Sequence, residues 1–169
     1  RRAISMAVDR DAMVKGPFYG YAFKTWSIMT SGNARWYDST ITAPDLDPEA
    51  AKALLDKIGL RDKNGDGVRE DAQGHPVQFT MIFNGDNKLR QSMATLMQDD
   101  LAKVGVKMIP AGVDFNTLLT KTRNEFQYEA CMGGLGSAVP CDPAMGANFW
   151  KTTGITHYWD AKQPEGHAD

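Results

Sequence analysis

The chain has 169 residues, enough for one well-buried domain and few for two. Hydrophobic residues make up 42% and charged residues 24%, and 19 Lys+Arg against 21 Asp+Glu leave a formal net charge of −2. No basic excess attracts nucleic-acid phosphates, and the longest uncharged stretch, Ala130 to Cys141, is too short and too rich in glycine to span a bilayer.

Arg1-Arg2-Ala3-Ile4 reads at once as helix, with no initiator Met and no apolar signal region, so the chain is expected to be cut from something longer. Ile4, Ala7, Val8 and Ala12 keep helical spacing, and Asp9-Arg10-Asp11 interrupts them, which predicts one helix and a second short one. From Gly16 to Pro44 no period holds, yet the segment carries Phe18, Tyr19, Tyr21, Phe23, Trp26, Trp36 and Tyr37. It is expected to be an ordered loop whose rings pack on a core, a ligand or another domain.

Asp47-Pro48-Glu49 is a helix start: an acceptor at the cap, a proline where no N–H is needed, and an acid at the positive end of the dipole. Ala51, Leu54, Leu55 and Ile58 form one apolar face, closed by Gly59. Val77, Phe79, Met81 and Phe83 alternate with Gln78 and Thr80, predicting a strand, and Ile82 on the second face suggests cover on both sides. Asp86 or Asn87 then caps a helix with Leu89, Met93, Leu96, Met97, Leu101 and Val104 in one stripe, ending at Gly105. A strand over Val106–Ile109, a short helix capped by Asp114 with Phe115, Leu118, Leu119 and Thr122 on one side, and a strand over Tyr128–Met132 complete the order. Strand, helix, strand, helix, strand implies an α/β sheet with helices packed on its faces.

Asp62-Lys63-Asn64-Gly65-Asp66-Gly67-Val68-Arg69-Glu70 matches the first half of an EF-hand loop, with Gln73 where the closing bidentate Glu would stand. The favoured reading is a turn in which Asp and Asn side chains bond their own backbone. The rival is a calcium-binding module that uses Asp62, Asn64 and Asp66. Cys131 and Cys141 are not in a C-x-x-C arrangement, and His75, His157 and His167 make no pair at metal-ligand spacing. No G-x-S-x-G, H-E-x-x-H or G-x-x-x-x-G-K motif is present, so an enzyme is the least supported class and no cofactor is expected. Gly133-Gly134-Leu135 follows a predicted strand, where ligands bind open α/β sheets and glycine lets them approach the backbone.

These pieces, with Asp142-Pro143 closing the Gly-rich stretch, resemble the C-terminal lobe of the solute-binding proteins of ABC importers. The family meant is the one that includes dipeptide- and oligopeptide-binding proteins. The residues that carry the resemblance are Arg2–Arg10, Asp47–Leu55 closing at Gly59, the Asp62–Glu70 turn, the Val77–Phe83 strand and the Leu101–Val106 helix-to-strand turn. His157-Tyr158-Trp159-Asp160 with Gln163-Pro164 also looks like the family's approach to its last helices. The resemblance implies a periplasmic-binding-protein-like (type II) lobe with a central mixed sheet flanked by helices. It further implies a receptor outside the cytoplasmic membrane that closes with an N-terminal lobe of the same parent chain on a small-molecule or peptide solute and hands it to ABC permease subunits. Residues 1–169 would be a single, incomplete lobe. Many peptide-binding members carry an acid just before the Asp-Pro pair, where it pairs with a peptide's amino group, and here Val139 stands in that place. The cleft is expected to be lined by Gly133, Gly134 and Leu135, with Trp26, Trp36, Asn84, Asp142, Phe149 and Trp150 as further candidates.

Overall fold

The computed structural model describes residues 1–27, 29–136, 142–151, 154 and 156. Helix α1 (Arg2–Ala7) gives way to α2 (Arg10–Lys15) where Val8 turns extended. The Asp9 carboxylate caps α2 by accepting the Ala12 N–H at 2.8 Å, which is the physical cause of the interruption expected at Asp9-Arg10-Asp11. The Asp9 N–H in turn donates to buried Asp100 at 2.9 Å, and Arg10 donates to the Ser5 carbonyl and hydroxyl, tying the two helices together.

The aromatic segment that follows folds through turns, with Phe18, Trp26 and Tyr37 half-buried and its other rings exposed. Tyr19, Tyr21 and Phe23 are 82%, 94% and 63% exposed, and Trp36 is also exposed. Packing of these rings on the core of this chain is therefore not what the structure shows. The Arg10 guanidinium lies 5.0 Å from the Trp26 ring centroid, and that of Arg35 lies 5.2 Å from Trp36.

Helix α3 (Pro48–Lys57) begins as expected, with Asp47 accepting from the Ala50 N–H and donating its own N–H to Met6 of α1. Its inner face buries Ala51 and Leu55. Ile58 corrects the predicted stripe: it is the C-cap, 70% exposed, and Leu60 returns to the core after Gly59 takes a φ of 85°.

Strands β1 (Gln78–Asn84), β2 (Lys107–Val113) and β3 (Ala130–Met132) make one sheet in the order β2-β1-β3, with both pairings parallel. Of the mixed sheet implied by the resemblance, the described residues show this parallel part. Among the described residues, antiparallel pairing is confined to the bridges Arg61–Glu70 and Glu70–Pro76 outside it. Helix α4 (Lys88–Ala102) joins β1 to β2, and α5 (Phe115–Leu119) with a π-helical turn (Thr120–Glu125) leads to β3 on the far edge. β2 runs past the predicted end at Ile109 and through Pro110, a residue without an N–H that an edge strand accommodates. β3 is shorter than predicted, starting at Ala130.

Met81 and Phe83 of β1 and Met108 of β2 point into the main core, beneath α1, α3 and α4. Leu101 and Ala51 are 0% exposed there, and burying a leucine of this kind contributes about 1.5–3 kcal/mol. Ile82, on the second face, is buried at 7%, and α5 packs on β1 from that side, as the sequence suggested.

Candidate functional site

Parallel strands deliver their carboxyl ends to one side of the sheet, so the loops after β1, β2 and β3 gather there. After β1 the Asn84 side chain accepts the Asp86 N–H at 3.1 Å, and the Asn87 side chain caps α4 by accepting the Arg90 N–H at 3.0 Å. The Gly85 N–H donates to the Val113 carbonyl at 2.8 Å, which brings the chain after β1 against the end of β2. A Cβ on Gly112 would stand 3.0 Å from Gly85 Cα, so a side chain at either position would push the two backbones apart by a few tenths of an ångström. The Gln91 amide donates to the Gly85 carbonyl and fixes the same corner.

Beside this corner, at the β3 edge, opens a cavity of about 720 Å³, within the range of small-molecule sites. Gly133, Gly134 and Leu135 form one wall as the chain leaves β3. Phe115, Leu118 and Leu119 of α5 also line the cavity, with Thr122, Arg123 and Phe126 from the π-helical turn and its end. Tyr128, Glu129, Cys131 and Met132 from β3 and the chain before it, and Arg1, Arg90 and Phe149, complete the described lining. Buried Thr122 donates its hydroxyl to the Leu118 carbonyl at 2.8 Å, and Phe126 ends the turn in a left-handed conformation, φ 53°. Burial pushes the Cys131 thiol up from its ordinary value, so it sits in the sheet as a small apolar group.

Of the residues expected to line the cleft, Gly133, Gly134, Leu135 and Phe149 come together at this cavity. Asn84 shapes the turn after β1 outside the lining, and Asp142 caps the 3₁₀ turn Pro143–Gly146 by accepting the Ala144 N–H at 2.8 Å. Trp26 and Trp36 lie in the aromatic segment against their arginines. Trp150 closes helix α6 (Ala147–Trp150), and its side chain lies outside the described residues, as do Val139, Cys141, His157 and His167. Arg90, Arg123, Phe115, Phe126 and Tyr128 line the cavity without having been singled out from sequence. Arg90 was within reach, since it stands in the first turn of a helix that starts at a strand's carboxyl end.

The Asp62–Glu70 loop forms the expected turn. Asp62 accepts from the Gly65 and Gly67 N–H groups at 2.7 and 2.9 Å, Asn64 accepts from Asp66 at 2.8 Å, and Asp66 accepts from Val68 at 2.8 Å. Gly65 and Gly67 take φ values of 81° and 87°. Carboxylate oxygens of Asp62, Asp66 and buried Glu70 lie within 4.8 Å of one another, and Glu70 accepts the Lys63 N–H at 2.8 Å. The backbone donors account for this geometry without a cation.

A glycine-lined cavity at the carboxyl ends of parallel strands, walled by aromatic and aliphatic side chains, defines a ligand-binding α/β unit. The family model described as bacterial extracellular solute-binding proteins, family 5 middle, matches residues 1–157, and the chain belongs to that family. It is 32% identical over 92% of its length to a Deinococcus radiodurans protein described as a probable ABC transporter-binding protein, covering 27% of that relative. It is 35% identical over 98% of its length to the periplasmic alpha-galactoside-binding protein of Rhizobium meliloti, covering 24% of it. The oligopeptide-binding protein AppA of Bacillus subtilis, solved in complex with a nonapeptide, superposes with a TM-score of 0.81 at 23% identity, over 97% of this chain and 33% of AppA, and so shares the fold. The chain thus spans about a quarter of the length of the curated relatives it matches. Among the described residues no helix is long and apolar enough to cross a membrane.

Proposed function

We propose that this chain is an incomplete C-terminal lobe of a two-lobed receptor that captures a small solute or peptide outside the cytoplasmic membrane and delivers it to an ABC permease. The observation that carries the reading is the cavity of about 720 Å³ at Gly133-Gly134-Leu135, where strand ends and exposed backbone offer a solute both shape and hydrogen-bond partners. The family and the relatives described above support it; one of them is named for an alpha-galactoside and another for oligopeptides. The N-terminal lobe of the same parent chain supplies the other half of the cleft, and hinge closure commits the solute. Val139, in place of an acid, provides no partner for a peptide's ammonium group, a loss of about 1.5–3 kcal/mol in charge-assisted hydrogen bonding, so the solute is held by other groups.

Native mass spectrometry of the full-length parent, purified without refolding, tests the reading. A defined extra mass lost on denaturation is the expected result, with a raised Tm when the identified solute is added back. A parent that carries no such mass, and whose Tm is unmoved by panels of peptides and oligosaccharides, would overturn it.

A further inference from the structure

Among the described residues Arg90 is the guanidinium of this cavity whose placement is fixed by its neighbours. The described lining of the cavity includes Arg90 and one carboxylate, Glu129, an oxygen of which already accepts the Thr80 N–H at 2.6 Å. Arg90 is positioned from two sides. Its N–H is held by the Asn87 side chain at the start of α4, and its guanidinium lies against Gly134, where a Cβ would stand 2.8 Å from Nη2. Gly134 therefore makes the room in which the Arg90 head reaches the cavity wall. The first turn of α4 holds no acid, and among the described residues no carboxylate lies at ion-pair distance from Arg90. A half-buried guanidinium presents a planar fork of donors that a carboxylate or phosphate fits in bidentate fashion, and a partly desolvated setting strengthens that bond.

We infer that Arg90 is a specificity-determining residue of this cavity, and that the solute is held there by an anionic group carried on an apolar or aromatic body. The body is indicated by Phe115, Phe126 and Phe149, which line the same cavity as the arginine. This inference rests on the receptor reading above and narrows its solute class.

The test uses the full-length protein, titrated calorimetrically with N-acetylphenylalanine, its neutral amide, and phenyl phosphate. None of the three has a free amine, so the comparison isolates the anion. At least one acid is expected to bind ten- to a hundred-fold more tightly than the amide, on the order of one charge-assisted hydrogen-bonded pair. Arg90→Met should remove that preference, so that acid and amide bind alike, Arg90→Lys should keep part of it, and Lys107→Met on the exposed face of β2 should keep all of it. Equal binding of acid and amide, or an acid preference that survives Arg90→Met, overturns the inference. So does a co-purified solute that is neutral and retained by the Arg90→Met protein, a result that leaves the receptor reading standing. A protein that holds no solute of any kind defeats both.

Discussion

Gly105 ends α4 with a φ of 78°, and a Cβ placed on it would lie 2.7 Å from Arg69 Cγ and 3.1 Å from Cδ. Arg69 is no idle neighbour. Its side chain is 11% exposed, its Nε donates to the Val104 carbonyl at 2.7 Å, and its Nη1 donates to the Leu60 carbonyl at 2.6 Å and to Asp56 at 2.5 Å. It thus joins the ends of α3 and α4. Gly105→Ala meets two costs: the left-handed backbone, about 1–2 kcal/mol, and displacement of an arginine that bonds two carbonyls, with about 1.5–3 kcal/mol at stake for each such bond lost. Gly59→Ala provides the control, because it has a similar φ of 85° and nothing within 4 Å of its Cβ, so only the first cost applies. Urea unfolding of the full-length protein, followed by circular dichroism, should give about 1–2 kcal/mol for Gly59→Ala and about 3–5 kcal/mol for Gly105→Ala. In an Arg69→Ala background the Gly105→Ala cost should fall to the Gly59 value, the difference being the coupling energy of the pair. Equal costs for the two glycines, or no drop in the Arg69→Ala background, refutes the reasoning.

Leu101→Ala, at a side chain 0% exposed, should cost about 3–5 kcal/mol by urea unfolding, and a cost below about 1 kcal/mol would mean the core is not where it is drawn. Asp62→Ala removes the acceptor of two backbone N–H groups and should lower the Tm by the same amount with or without chelator; a calcium-dependent Tm that this substitution abolishes would turn the loop into a cation site. Asp56, held low by its hydrogen bond from Arg69, Asp71, held low by the His75 N–H, and Asp114, held low by Thr117, all titrate below the ordinary carboxylate range when folded. Their stabilisation is present above the unfolded value of about 3.9 and is lost as pH falls through the folded values, so the Tm should hold near neutrality and drop below about pH 4. A Tm that rises on acidification through that window contradicts the sign.

The elements that were legible in the sequence are those with a local cause. Asp47-Pro48 and Asn87 are caps whose side chains satisfy N–H groups three residues on, and such bonds are written in residue types at fixed spacing. Ile58 failed because a stripe says nothing about where the helix ends, and one residue beyond the last turn it swings to solvent. The π-helical turn at Thr120–Glu125 and the left-handed Phe126 leave no period to read, since they are set by how α5 must reach β3. At the site, the glycines after β3 followed from topology, whereas Arg90 and the aromatic wall depend on which chain segments pack beside them. Trp26 and Trp36 were singled out for their ring area, and the arginine that lies over each ring could not be read from residue type.

Gly85 and Gly112 each occupy the space the other's side chain would need, a Cβ on either one falling 3.0–3.2 Å from the other's backbone. Neither position can gain a side chain by itself while the strand ends keep their spacing, and a gain at one is not relieved by any change at the other, which is already the smallest residue. Drift is disfavoured at both at once. In a set of homologous sequences the pair would show as two fixed glycines far apart along the chain, and the temptation would be to assign them to the solute. Their constancy would instead report the contact between two strand ends, a constraint on the frame that any change of solute specificity has to leave alone.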